Sequence, residues 1–89
     1  MNLIIWQTNK FKRDLKRIVN QGMNLDELES IIQKLALPSR LESRYKDHAL
    51  KGNWIGHREC HIKPDWLLIY YVKDNILFLV RTGSHSDLF

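Results

Sequence analysis

Residues 54–83 run Trp-Ile-Gly-His-Arg-Glu-Cys-His-Ile-Lys-Pro-Asp-Trp-Leu-Leu-Ile-Tyr-Tyr-Val-Lys-Asp-Asn-Ile-Leu-Phe-Leu-Val-Arg-Thr-Gly, three apolar stretches parted by two short polar breaks. Lys63-Pro64-Asp65 and Lys73-Asp74-Asn75 are turn chemistry, and the runs between them are rich in β-branched and aromatic residues. The expected strands are 54–62, 66–72 and 76–81, with Thr82-Gly83 as the break after the last. Ile76 to Val80 is continuously apolar, the mark of an interior strand covered on both faces. Alternation along the first of these strands puts His57, Glu59 and His61 on one face and Arg58 and Cys60 on the other.

Toward the N-terminus, Leu3-Ile4-Ile5-Trp6 is too short for a helix and reads as a strand. Phe11, Leu15, Ile18 and Val19 then recur at helical spacing, with Lys10, Lys12, Arg13, Lys16 and Arg17 filling the other faces and Gly22 closing the helix. Asn24 with Glu27 three residues on predicts a capping box, and Leu25, Leu28, Ile31, Ile32 and Leu35 form the stripe of a second helix that Pro38 stops. Residues 39–52 are predicted as a loop, long enough to suggest function. Beyond the strands, Ser84 and Asp87 can cap one last helical turn. The order is β-α-α-β-β-β, an α+β fold with two helices on a small, mostly antiparallel sheet. Residues 1–89 read as a single domain.

Eighty-nine residues, 44% of them hydrophobic and 27% charged, suit one small folded domain. The only cysteine, Cys60, excludes an intrachain disulfide and points to a reducing cytoplasm. No apolar run approaches the roughly 20 residues of a membrane span, and the N-terminus lacks the pattern of a signal peptide. The formal net charge is +4. Residues 1–46 carry all of it, while residues 47–89 are neutral and hold all four histidines. A basic N-terminal half suggests a polyanion or an acidic protein as partner; a solvated helix surface is the plainer reading.

In an antiparallel meander the start of the strand at Asp65-Trp66 and the end of the next at Arg81 share one edge. His61, Asp65, Trp66, Arg81 and His85 can therefore converge, with His48 joining from the loop. Imidazoles, a carboxylate and a guanidinium are the parts for RNA cleavage by the 2′-hydroxyl: one imidazole takes a proton, another gives one, and the arginine meets the phosphorane charge. Trp66 and Phe89 can stack bases. Zinc held by His57, Cys60, His61 and His85 is an alternative, against which Cys60 points the wrong way along a regular strand. A Cys60 nucleophile is weaker still, since a mid-strand cysteine is usually a small buried hydrophobe.

Three separated blocks carry a resemblance. They are Tyr45-Lys46-Asp47-His48-x-Leu50-x-Gly52-x-Trp54, Arg58-x-x-His61-x-x-Pro64-Asp65-Trp66-Leu67-Leu68-Ile69-Tyr70, and Arg81-Thr82-Gly83-Ser84-His85-x-x-Leu88-Phe89. In order and spacing they resemble the YafQ branch of the RelE-type toxins of type II toxin–antitoxin systems. The resemblance implies a RelE-like fold and a metal-independent, cofactor-free mRNA interferase that cuts in the ribosomal A site and inhibits translation. It implies catalytic roles for His48, His61, Asp65, Arg81 and His85, with His85 as acid and His48 or His61 as base. Trp66 and Phe89 fall on its aromatic positions. Lys10, Lys12, Arg13, Lys16, Arg17 and Lys46 are then the residues for RNA phosphates. His57 departs from the pattern and reads as a bystander; Arg40 and Arg44 touch RNA or are merely solvated. The implied partners are mRNA, the ribosome and a cognate antitoxin, with a monomeric free toxin and a heterotetrameric complex. A non-catalytic nucleic-acid-binding module of such a complex is the competing reading, but it has no need of converging histidines.

Overall fold

The structure, a computed structural model, describes residues 2–37 and 41–89. Its elements are β1 (Ile4–Gln7), α1 (Asn9–Asn20), α2 (Asp26–Ala36), β2 (His48–Ala49), β3 (Arg58–Lys63), β4 (Trp66–Lys73), β5 (Ile76–Gly83) and α3 (His85–Leu88), with 3-10 turns at Ser43–Tyr45 and Gly52–Trp54. The sheet order is β1-β5-β4-β3-β2; β1 pairs β5 in parallel and every other pair is antiparallel. The α+β architecture expected from the sequence is the one observed, and β5 is interior as its apolar run requires.

Thr8 starts α1 by accepting the Phe11 amide at 3.1 Å, while its own hydroxyl donates to the Val80 carbonyl at 2.9 Å. The stripe that α1 buries is Phe11, Asp14 and Ile18, with Leu15 half-buried; Val19, expected on that face, is 52% exposed. The chain leaves α1 through Gly22 at φ +78°, a left-handed backbone that glycine adopts without steric cost. At α2 the expected capping box does not form. Asn24 accepts the Asp26 amide at 2.8 Å from just outside the helix, and Glu27 instead pairs with Lys63 at 3.3 Å. Asp26, Glu27 and Glu29 still place negative charge at the helix's positive end. Leu37 after α2 is extended, as a residue preceding proline must be. The predicted stop at Pro38 and the loop residues Ser39 and Arg40 lie outside the described residues.

The first strand of the meander starts later than its composition suggests. Residues 52–57 form turns, with Gly56 at φ +89°, so pairing begins only at Arg58. The predicted 39–52 loop holds the two-residue strand β2, which sets His48 opposite Glu59. The β4–β5 hairpin turns on Asp74 and Asn75, both at positive φ, in the geometry a two-residue hairpin favours. β5 runs through Thr82-Gly83 instead of breaking there. Midway, Ile69 pairs Arg81 and Tyr70 pairs Leu79, so Val80 is an extra residue and the strand bulges. A regular strand would put Leu79 and Arg81 on one face; the bulge turns Arg81 to the other.

The sheet has two different faces. Phe11, Ile18, Leu28 and Ile31 of the helices pack on Cys60, Ile62, Trp66, Leu68, Tyr70, Leu77 and Leu79 to make the main core. The opposite face carries a smaller cluster of Leu67, Ile69 and Leu88, bordered by Leu50, Trp54 and Val80. Past the end of β1, side chains replace a strand along β5. Thr8 donates to the Val80 carbonyl, Asp14 accepts the Thr82 amide at 3.1 Å, and Arg17 donates to the Thr82 carbonyl at 3.1 Å. Buried backbone groups that β1 is too short to reach are thereby paired.

Candidate active site

Antiparallel partners share a face, so the pairings of β2, β3, β4 and β5 align His48, Glu59, Ile69 and Arg81 on one rung, with His61 and Leu67 one step along. This is the face away from α1 and α2. Three imidazoles gather on it. The rings of His48 and His61 are 6.3 Å apart between centroids, and those of His61 and His85 are 5.8 Å apart.

Each imidazole is held by a different acceptor. The Nδ1 of His48 lies 2.6 Å from the Lys46 carbonyl oxygen. A carbonyl only accepts, so Nδ1 carries the proton and the neutral ring keeps its lone pair on Nε2. Lys46 is left-handed, at φ +50°, which turns the chain so that this bond can form. Asp47 fastens the segment to the sheet, accepting from Tyr70 Oη at 2.7 Å and from Arg58 Nε at 3.1 Å. His61 Nε2 is 3.1 Å from Glu59 Oε1, a buried carboxylate that also lies 3.8 Å from His48 Nε2. His85 Nδ1 is 2.8 Å from Asp65 Oδ1, and the same oxygen accepts the His85 backbone amide at 3.1 Å. The hydrogen bonds from His85 hold the Asp65 carboxyl below its ordinary value. Ser84 and Asp87 form the predicted capping box and fix the start of α3, where His85 sits.

Arg81 is gripped from behind. Its Nε and Nη2 donate to the two oxygens of Asp14 at 2.7 and 3.1 Å. Burial pushes the Asp14 carboxyl up, but hydrogen bonds from Arg81, the Thr82 amide and Arg17 outweigh it and hold the group below its ordinary value. Nη1 of Arg81 takes no part in this grip.

Other expected site residues lie elsewhere. Trp66 is 2% exposed in the main core and donates to Thr82 Oγ1 at 2.9 Å, so its ring has no face for a base. Arg17 is turned inward to Asp14 and Thr82, with Asp87 at 3.6 Å, and is no free phosphate ligand. Lys10, Lys12, Arg13 and Lys16 are exposed, but on α1, across the sheet from the imidazoles. Phe89 is 59% exposed at the rim, its ring 6.4 Å from His85 and 6.1 Å from Trp54. Lys46 is exposed beside His48. His57 packs edge-on against Trp54 and Tyr71, away from the imidazole row. Cys60 is fully buried on the helix side, so the zinc set of His57, Cys60, His61 and His85 does not assemble. What does assemble is Glu59, His61 and His85, which offer ligand atoms all within 4.8 Å of one another. Imidazole and carboxylate oxygen are ligands suited to zinc or copper.

Glu59 and Asp14 were missed as site residues. Strand alternation already set Glu59 on the face of His61. Asp14 is an acid at i+3 within an apolar helical stripe, which is itself a signal that it is buried with a partner.

Residues 3–89 match the family model described as the bacterial toxin of type II toxin–antitoxin systems, YafQ. The chain belongs to the YafQ toxin family. It is 36% identical over 85 residues to the mRNA interferase toxin YafQ of Escherichia coli K12, covering 92% of this chain and 90% of that one. Among solved structures it resembles a metal-bound toxin from Helicobacter pylori, at 49% identity and a TM-score of 0.92 over 98% of this chain and 99% of the other. It also resembles YafQ as seen in the Escherichia coli DinJ–YafQ toxin–antitoxin complex, at 35% identity and a TM-score of 0.88 over 100% and 99% of the two chains. As a YafQ-family toxin it carries the fold that the three sequence blocks implied.

Proposed function

We propose that the protein is an endoribonuclease that cuts mRNA by attack of a ribose 2′-hydroxyl on the adjacent phosphorus. The observation that carries this is the row of three imidazoles, each fixed by its own acceptor. In-line displacement needs the base and the acid on opposite sides of the phosphorus. The outer two rings meet that need. His48, with its Nε2 lone pair free in the neutral form, takes the 2′-OH proton. His85, held at Nδ1 by Asp65, gives a proton from Nε2 to the departing 5′-oxygen. The P–O5′ bond breaks, leaving a 2′,3′-cyclic phosphate and a 5′-hydroxyl. His61, oriented by Glu59, and Arg81, anchored by Asp14, stabilise the charge on the phosphorane between them. Phe89 offers an exposed ring for a base.

The biological setting of this reading is cleavage of mRNA in the ribosomal A site, inhibition of translation in the bacterial cytoplasm, and neutralisation by a cognate antitoxin in a heterotetramer. A relative named mRNA interferase toxin and another seen in a toxin–antitoxin complex support the mRNA target and the antitoxin. The exposed lysines and arginine of α1 then serve rRNA phosphates or an acidic antitoxin segment. The deciding experiment is cleavage of mRNA by purified protein, with and without programmed ribosomes. His85→Ala is expected to lower the rate by about 10²–10⁴-fold. Full activity in that variant would remove His85 as the acid.

A second reading is favoured by Glu59, His61 and His85 together with the metal-bound relative. These three residues take up a divalent cation that competes with catalysis, because it occupies lone pairs that His61 and His85 need for protons. Added zinc is then expected to inhibit cleavage and a chelator to restore it. Stimulation by zinc would reverse this assignment.

A further inference from the structure

β2 pairs only with Arg58 and Glu59, so among the described residues β3 beyond Glu59 has no strand on its outer side. The 3-10 turn Ser43–Tyr45 lies there instead, and a cavity of about 230 Å³ opens between it, the start of α2 and the β3–β4 turn. His61 is one wall of this cavity, so it adjoins the imidazole row directly. Tyr45, 8% exposed, packs in the main core. The Arg44 guanidinium lies over the Tyr45 ring at 4.7 Å and donates to the phenol oxygen at 2.6 Å, which sets a solvent-facing cationic plane at the cavity wall. Lys46 and Lys63 also line the cavity; of the three cations, Lys63 is paired with Glu27 in the lining at 3.3 Å and Arg44 with Glu42, just outside it, at 3.2 Å.

A positive cavity with a guanidinium plane, sharing a wall with the proposed catalytic histidines, has the chemistry of a single-stranded RNA subsite. Bases of unpaired RNA stack on aromatic rings and on arginine planes, and lysines meet the phosphates. We propose that this cavity holds the nucleotide next to the scissile bond, its base against Arg44 and its phosphate between Lys46 and Lys63. The proposal rests on the RNA-cleavage reading. It adds Arg44 and Lys63 to the RNA contacts, with Tyr45 only backing the Arg44 plane from the core. An acidic protein segment is disfavoured as occupant because the cavity opens onto the imidazoles.

The test titrates a 2′-O-methylated oligoribonucleotide, which cannot be cut, into wild-type protein and into Lys63→Gln, Arg44→Gln, Lys63→Arg and a control, Lys73→Gln, in the β4–β5 hairpin. Lys63→Gln and Arg44→Gln are each expected to weaken binding by on the order of tenfold, and the Lys63→Gln salt slope to fall by about one. Lys63→Arg is expected to restore most of the affinity, and Lys73→Gln to match wild type. In cleavage assays Lys63→Gln should raise KM with kcat within about twofold of wild type, as loss of uniform binding predicts. Wild-type affinity in both glutamine variants, or equal loss in the Lys73 control, overturns the proposal. So does intact RNA binding with lost antitoxin affinity, which makes the cavity a protein contact. A wild-type protein that binds the oligonucleotide through Arg44 and Lys63 yet cuts no RNA would sink the cleavage reading and leave the subsite standing.

Discussion

Asp14 accepts hydrogen bonds from Arg81, Arg17 and the Thr82 amide while only 2% exposed. Asp14→Asn removes the counter-charge that grips Arg81 and leaves Arg17 only Asp87 at 3.6 Å, and breaking a buried pair of this kind costs about 3–5 kcal/mol. Urea unfolding at pH 7 should show that loss. The group's pKa is depressed on folding, so its contribution is complete above the ordinary value of 3.8 and disappears as pH falls through the lower native value. The gap between wild type and Asp14→Asn should therefore narrow at pH 3. Asp65 is the opposite case, an exposed carboxylate that bonds the His85 ring and backbone amide. Asp65→Asn is expected to leave the urea midpoint unchanged while slowing cleavage by on the order of tenfold or more. Equal loss of stability and rate would mean that Asp65 only holds the α3 turn in place.

Gly83, the last residue of β5, shows how tightly α1, β5 and α3 meet. A Cβ built there would lie 2.7 Å from Arg17 Nη2 and 3.1 Å from Asp87 Cβ. Gly83→Ala must push apart the groups that hold the β5 edge and the α3 cap, a strain of about 1–3 kcal/mol. Thermal unfolding should then fall by roughly 5–15 °C. The elements themselves were largely legible from local pattern: the meander, both helices and the Ser84–Asp87 cap follow from periodicity and turn chemistry. Gathering His61, Asp65 and His85 needed only strand alternation and the antiparallel order, whereas His48 is fixed opposite Glu59 by β2, a strand inside what reads as a loop. What local pattern does not carry is contact between distant residues. The Asp14–Arg81 pair spans 67 positions. The Val80 bulge that re-aims Arg81 leaves no sign in an unbroken apolar run, and Trp66 reads equally well as a stacking ring or a core one. The start of β3 was misplaced because Trp54 and Ile55 have strand composition but lie in turns around a positive-φ glycine.

Cys60 reports on the molecule as a whole. It is fully buried between sheet and helices, and burial, followed by the charges of Asp47 and Glu59, pushes its thiol up to about 12. A thiol reagent can reach it only when the core opens, so labelling of native protein should be slower than in urea by on the order of 10³-fold or more. Asp14→Asn should speed native labelling by about 10²–10⁴-fold if the same opening exposes Cys60, since each 1.4 kcal/mol is tenfold in the open population. Fast labelling of wild type would mean that β3 opens without the rest of the domain.

The parallel pairing of Ile4–Gln7 with residues 76–79 also orders events in time. Translation delivers the chain from the N-terminus, so β1 emerges first and finds no partner until β5 has been made. His85 comes later still, and with it the proposed proton donor. A nascent chain shorter than this therefore lacks both the closed sheet and the full set of imidazoles on which the proposed cleavage depends.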